Sequence, residues 1–376
     1  MHILISPNAF KNSIDAAAAA RAIEDGLHQS SLVCTTHCFP VGDGGDGTGH
    51  LLTEICGGEF ITESVHDPLG RQIEADFGLI DNGQTAVIEM AAASGLRLLR
   101  SDELDPLHAS SYGTGELIRK ALDKGVKKIL LCVGGSATVD AGCGILEAMG
   151  IRFLDTDKKP LKEFPESLVH LAAIDLSELD KRMGEVDLTI LADVSNPLLG
   201  ENGAAKIFGP QKGASEKEIE QLEAALTKFN QIVLQTTGMD MSKAKYGGAA
   251  GGTVAGLSAL LNAKPVNGID YFLAVTHFED AIKKADIVIT GEGSIDIQTL
   301  EGKAPYGVAL RAKQKNIRVI GFAGKLPDTP CPELDNFFTR LININDEETD
   351  LAAAMLAVKD NLIRSAFELG NRLAVE

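Results

Sequence analysis

The sequence predicts an α/β protein built from two domains, and three observations predict it. At 376 residues the chain is longer than one hydrophobic core ordinarily organises. Short apolar runs alternate with amphipathic helical stripes over most of its length, the pattern of parallel strands joined by helices. Between residues 59 and 90 this alternation stops, and three strand-like runs follow one another directly.

The elements follow in order. Residues 2–6 form an apolar first strand. The loop after it, Pro7-Asn8-Ala9-Phe10-Lys11-Asn12-Ser13, ends on a serine suited to cap a helix over 16–27. Ile14, Ala18, Ala22, Ile23 and Leu27 lie near one face of that helix. Residues 59–65, 72–80 and 85–90 read as strands joined by Pro68-Leu69-Gly70 and Asp81-Asn82-Gly83, and the Asn-Gly pair favours a hairpin. Alternation returns with a helix over 115–124, a strand over 128–133, a helix over 140–149, a strand over 187–192 and a helix over 216–236. A glycine-rich stretch at 245–252 leads into a helix over 254–261. Strands at 286–290 and 318–322 and a last helix over 351–373, with Thr349 near its cap, complete the chain. The expected division is discontinuous. Residues 1–62 and 285–376 form an open parallel-sheet domain of the flavodoxin-like or Rossmann-like kind, and residues 63–284 an inserted α/β domain with a mixed sheet.

Composition narrows the function. A net charge of -18 disfavours a nucleic-acid surface and an acidic membrane leaflet, and leaves a small molecule as the expected partner. The six cysteines have no C-x-x-C spacing, and several lie in apolar runs such as that around Cys132. They read as reduced thiols of a cytoplasmic protein. The first residues are too short and uncharged a run for a signal peptide, and no apolar stretch approaches the ~20 residues of a membrane helix. Zinc-protease and nucleophile-elbow patterns are missing, and the Gly134–Thr138 loop is neither a Walker A loop nor a G-x-G-x-x-G.

The chemistry concentrates in loops of glycine, acid and hydroxyl. Val41-Gly42-Asp43-Gly44-Gly45-Asp46-Gly47-Thr48-Gly49 bares its backbone to a ligand and sets two carboxylates in it. Gly134-Gly135-Ser136-Ala137-Thr138 follows a strand and precedes a helix opened by Asp140, so its N–H groups and hydroxyls are placed for phosphate or substrate, the alternative being a tight turn capped by Asp140. Asp193 ends a strand and has Asn196 three residues on, a pair fit to hold Mg²⁺ or orient a hydroxyl, or else to form an Asx turn. Lys212, in Gly209-Pro210-Gln211-Lys212-Gly213, and Lys11, ahead of the first helix, are candidate phosphate contacts, against the alternative of surface lysines. Glu292, Asp296 and Lys303 cluster after the strand at 286–290, for metal, phosphate or ribose, or as a salt-bridged loop. Each glycine–acid loop follows a strand, so all three are expected at the carboxyl edge of an open sheet, facing one interdomain cleft.

Taken together these segments resemble the bacterial type 1 glycerate kinases. Residues 6–13 are similar to that family's P-D-S-F-K-G-S, with Asn8 and Ala9 replacing Asp-Ser, and residues 40–48 to its P-x-A-D-G-G-E-G-T, with Asp46 replacing Glu. Residues 106–116, 134–140, 193–197, 207–214, 247–252 and 290–305 follow the family in the same order. The resemblance implies ATP-dependent, Mg²⁺-assisted phosphorylation of D-glycerate, commonly to 2-phosphoglycerate, in glyoxylate or aldarate breakdown. On that reading Asp193 and Asp296 are the metal or base candidates, with Lys11 beside them in the catalytic set. Asp43, Gly44, Gly45, Ser136, Thr138, Asp140, Asn196, Lys212, Glu292 and Lys303 bind the two substrates. A homo-oligomer is compatible with it. A flavin- or nicotinamide-dependent oxidoreductase and a non-catalytic anion-binding protein are the alternatives.

Overall fold

The structure is a computed structural model that describes residues 1–345 and 350–376; Thr349, expected near the last helix cap, lies outside them. The described strands are β1 (His2–Ile5), β2 (Thr35–Cys38), β3 (Glu59–His66), β4 (Gln72–Ile80), β5 (Thr85–Glu89), β6 (Lys128–Cys132), β7 (Arg152–Leu154), β8 (Ala173–Asp175), β9 (Asp187–Ala192), β10 (Lys264–Asn267), β11 (Ile287–Ser294), β12 (Arg318–Lys325) and β13 (Arg340–Asn343). The chain divides into two compact units, Met1–Asp43 with Ile269–Glu376, and Gly44–Gly268. The changeovers thus fall at 43/44 and 268/269 rather than at 62/63 and 284/285. The helix Thr48–Ile55 belongs with the second unit because it packs on β5, and β3 does because it pairs with β4.

The first unit is a five-stranded, wholly parallel sheet in the order β13-β12-β11-β1-β2. Counted along this unit's own strands that is 2-1-3-4-5, the flavodoxin-like order and not the Rossmann one. Ile3, Ile5, Ile287, Ile289 and Phe322 form the strand side of the core, covered by Ala16–Gln29 and Val358–Leu373. These two helices approach closely enough that a Cβ on Gly26 would lie 2.2 Å from Ile363 O. The first helix begins at Ala16, so its cap is Asp15, which accepts from Ala18 N–H at 2.7 Å; Ser13 instead lies in the preceding Phe10–Ile14 turn. The expected single C-terminal helix is two, Leu351–Leu356 and Val358–Leu373, interrupted at Ala357. Strand β2, Thr-Thr-His-Cys with alternate residues exposed, has no apolar run to announce it.

The second unit is a mixed six-stranded sheet, β10-β9-β6-β5-β4-β3. The first four strands are parallel, and β4 and β3 add antiparallel. The β4–β5 hairpin turns through Asp81, Asn82 and Gly83, all at positive φ, as the Asn-Gly signal requires. The helix expected over 140–149 is only Cys143–Ala148, because Ala141 and Gly142 take left-handed backbone and delay its start. Among the described residues no helix is long and apolar enough to cross a membrane.

Candidate active site

In an open parallel sheet, a crevice forms at the carboxyl edge where neighbouring strands send their connections to opposite faces. In the first unit that point lies between β1 and β11. The chain leaving β1 stays bonded to β11 through Ser6 N–H to Ile289 O (2.7 Å) and Asn8 N–H to Gly291 O (2.8 Å). Asp43 reaches the same edge after β2. Its Oδ2 accepts from Asn8 Nδ2 at 3.0 Å and, at 3.4 Å, from the N–H of Ala304, the first residue of the helix Ala304–Gln314. An amide and a helix N-terminus thus face its carboxyl group. Glu292, inside β11, is buried, and its Oε1 accepts from Thr299 Oγ1 at 3.2 Å. Burial pushes its carboxyl up to about 8; Lys303 and the Thr299 hydroxyl oppose the rise, and Asp43 and Asp296 add to it. The two carboxyl groups therefore sit in different surroundings: Asp43 accepts from an amide and a helix N-terminus, and Glu292 is buried, where desolvation favours its protonated form. Asp296 caps the short helix Ile297–Glu301 with Oδ1, on Gln298 N–H at 2.8 Å. Lys11 is exposed on the Phe10–Ile14 turn, beside Gly293.

In the second unit three parallel strands present their carboxyl ends side by side, and the glycine loop crosses them. A Cβ on Gly44 would lie 2.5 Å from Leu191 O of β9, one on Gly134 2.4 Å from Gly45 Cα, and one on Gly49 2.7 Å from Glu89 Cγ at the end of β5. Gly134 N–H donates to Gly44 O at 3.0 Å, and Gly44 N–H donates to Thr48 Oγ1 at 3.1 Å. The glycines are needed because main chains touch here. A second glycine segment supports the neighbouring loops. Gly248 N–H donates to Asn196 O at 2.8 Å, and Ala141 N–H donates to Gly251 O at 3.0 Å. Asp193, half-buried, closes β9 above this support, and Asn196 Nδ2 donates to Asn202 O at 3.0 Å.

Three expectations change. Lys212 is buried, and its Nζ donates to Ser136 Oγ at 2.9 Å and Thr138 O at 2.6 Å, so it is no surface lysine. The hydroxyls of the Ser136–Thr138 turn face inward: Ser136 Oγ receives Lys212, and Thr138 Oγ1 is buried with no partner among the described residues. Asp140 lies three residues ahead of the helix Cys143–Ala148 and caps it through Gly144 N–H, the alternative the sequence offered. It is fully buried, with Oδ1 accepting from Gly142 N–H and Oδ2 from Ser111 N–H, Ser111 Oγ and Gly144 N–H, at 2.6 to 3.1 Å. Four donors saturate it, so it holds the turn and leaves a ligand nothing to bind.

Glu89 was not anticipated. The strand expected over 85–90 runs past Glu89, which hides that β5 ends on this carboxylate. Glu89 is buried, and burial together with the charge of Asp46 raises its carboxyl, against N–H groups of His50 and Gly49 and the charge of Arg97.

The sequence profile of the glycerate kinase family matches residues 3–374. The chain belongs to the glycerate kinase family. It is 41% identical over 374 residues to a glycerate kinase of Haemophilus influenzae, covering 100% of this chain and 99% of that one. It is 38% identical over 375 residues to the glycerate 2-kinase of Escherichia coli K12, covering 100% and 98%. A crystal structure of a protein assigned as glycerate kinase 2 from Salmonella typhimurium LT2 superposes with a TM-score of 0.81 at 38% identity, covering 100% and 98% of the two chains. Family membership selects the kinase among the readings the sequence left open, and a kinase uses ATP as co-substrate.

Proposed function

We propose that this chain transfers the γ-phosphoryl group of ATP to D-glycerate and releases 2-phosphoglycerate and ADP, as a type 1 member of its family. The full-length similarity to glycerate kinases carries the reading, and the loops at the two sheet edges support it. In the reaction a glycerate hydroxyl oxygen bonds to the γ-phosphorus, the bond from that phosphorus to the β,γ-bridging oxygen breaks, and the hydroxyl proton passes to a carboxylate. Such transfers rest on positioning and charge neutralisation. Asp193 is our candidate for the proton acceptor. Lys11 and Lys212 supply positive charge, and Asn196, Asp43, Gly44, Gly45 and Lys303 line the two edges. Asp296, with one oxygen already capping a helix, is the weaker candidate.

Among the described residues no group of three or more His, Cys, Asp or Glu could hold a metal ion alone. Mg²⁺ needs no such cage, since it is commonly held by one or two carboxylates plus substrate phosphates. Asp193 in the second unit and Asp296 in the first each offer one such carboxylate. When bound, Mg²⁺ neutralises phosphate charge. All six cysteines are free, in keeping with a reducing cytoplasm.

The test is ADP release coupled to NADH oxidation, with Mg²⁺ and D-glycerate, L-glycerate, glycerol or a hexose as acceptor. We expect turnover on D-glycerate. Enolase added without a mutase should convert the product directly, which identifies the 2-phosphate. Turnover on glycerol or hexose but not on glycerate would falsify the substrate assignment.

A further inference from the structure

Helix N-termini leave their first N–H groups without partners, and the residue before the helix ordinarily supplies an oxygen. The helix Thr48–Ile55 cannot be served that way. Its cap is Gly47, at φ 88, a backbone conformation that suits glycine and brings no side chain. Glu89, forty residues on in sequence, takes over. Its Oε1 accepts from Gly49 N–H at 2.6 Å and from His50 N–H at 3.2 Å, the second and third residues of the helix. Gly49 leaves the room, since a Cβ there would lie 2.7 Å from Glu89 Cγ and 3.2 Å from Glu89 Oε1. Gly47, Gly49 and Glu89 therefore form one device. A left-handed glycine ends the loop, a bare helical position admits a carboxylate, and that carboxylate comes from the centre of the sheet.

The device fixes the exit of the glycine loop. Thr48, the first helical residue, closes the loop on its other side by accepting from Gly44 N–H at 3.1 Å and donating its own N–H to Gly45 O at 3.2 Å. Gly44, Gly45 and Asp46 are thus held between β5 and the strand ends they cross, and Asp46 is tied to Arg97 at 3.1 Å.

We propose that Glu89 is a positioning residue for phosphoryl transfer: a remote helix cap that sets the geometry of the Gly44–Gly45–Asp46 loop without itself touching substrate. This rests on the reading that the loop binds a substrate. The carboxylate suits the positive end of the helix, and a neutral oxygen at the same place suits it nearly as well. The hydrogen bonds, more than the charge, define the role.

The experiment compares wild type, Glu89→Ala, Glu89→Gln and Gly49→Ala by amide hydrogen exchange, melting temperature and steady-state kinetics. Glu89→Ala should speed exchange at Gly49 and His50 about tenfold, the loss of a cap. It should lower kcat/KM by about 10²-fold, the scale of a catalytic geometry moved by an ångström. Glu89→Gln keeps an acceptor oxygen and should rescue most of both losses. Gly49→Ala should resemble Glu89→Ala, because it presses the same contact from the helix side. If Glu89→Ala fails to fold, Gly49→Ala decides alone. Unchanged exchange and kinetics in either variant would overturn the proposal. A Glu89→Gln variant as poor as Glu89→Ala in kcat/KM but protected at Gly49 would also overturn it, because the charge would then act on the substrate itself. Exchange is read without substrate, so a wild type that releases no ADP defeats the function and leaves the capping role decided on its own readout.

Discussion

At the scale of single residues, the site is organised by what each charge is bonded to. Glu292 makes this measurable. Its carboxyl is pushed up to about 8 from an ordinary value of 4.5, so the folded protein holds a proton that the unfolded chain gives up. Between those values the native state binds more protons than the unfolded one, and stability falls as pH rises. The contribution is complete below about pH 4.5 and lost as pH passes 8. The melting temperature should therefore decline from pH 5 to pH 9, and Glu292→Gln should flatten that decline; parallel profiles in the two proteins would show that Glu292 is not its source. Asp193→Asn and Lys212→Met test the transfer itself. Each should lower kcat by roughly 10²-fold or more. For Asp193→Asn the melting temperature should hold, because the shape is kept and the residue is only half-buried. Lys212→Met should lower both, since the buried ammonium also ties Thr138 O and Ser136 Oγ.

At the scale of elements, glycine contacts decide where loops go. Gly134→Ala would push a methyl to 2.4 Å from Gly45 Cα, main chain against main chain, with no flexible side chain to yield. The expected cost is about 1–3 kcal/mol, together with a raised KM for whichever substrate the loop binds. Thermal unfolding and steady-state kinetics read both, and a variant with wild-type values would show that the loops do not interlock. Much of this level was legible in the sequence. The strand–helix alternation, the Asn-Gly hairpin and two of the glycine–acid loops follow from local chemistry, whereas Gly291–Ser294, expected after a strand ending at 290, is the last half of β11 itself. What was not legible depended on partners distant along the chain. Nothing near Asp140 announces that Ser111 will fill its second oxygen, and nothing near Lys212 announces that it folds onto Ser136. Glu89 went unnoticed because its work is done on a helix forty residues earlier. Strand β2 was implied ahead of the Gly42–Gly49 loop but given no bounds, because a polar, half-exposed edge strand has no apolar periodicity.

At the scale of the whole molecule, the chain is one unit inserted in another. Gly44–Gly268 is continuous and carries its own sheet and its own core, including Ile88, Leu131, Ile190 and Phe229. Expressed alone, this segment should show a single cooperative thermal transition and native-like far-ultraviolet dichroism. A non-cooperative melt would mean that it depends on the remainder of the chain. The first unit has no such independence in sequence, since β1 pairs on one side with β2 and on the other with β11, which lies beyond the entire insertion.

That pairing has a consequence for birth on the ribosome. Synthesis runs at about 5–20 residues per second. After β1 and β2 emerge, the whole of Gly44–Gly268 must be made before β11 exists, a delay on the order of 10–45 s at that rate. Throughout it, Ile3 and Ile5 belong to a two-stranded ribbon with no third strand, too small to be stable alone. The apolar face of β1 therefore stays without its β11 neighbour until Ile287–Ser294 has been synthesised.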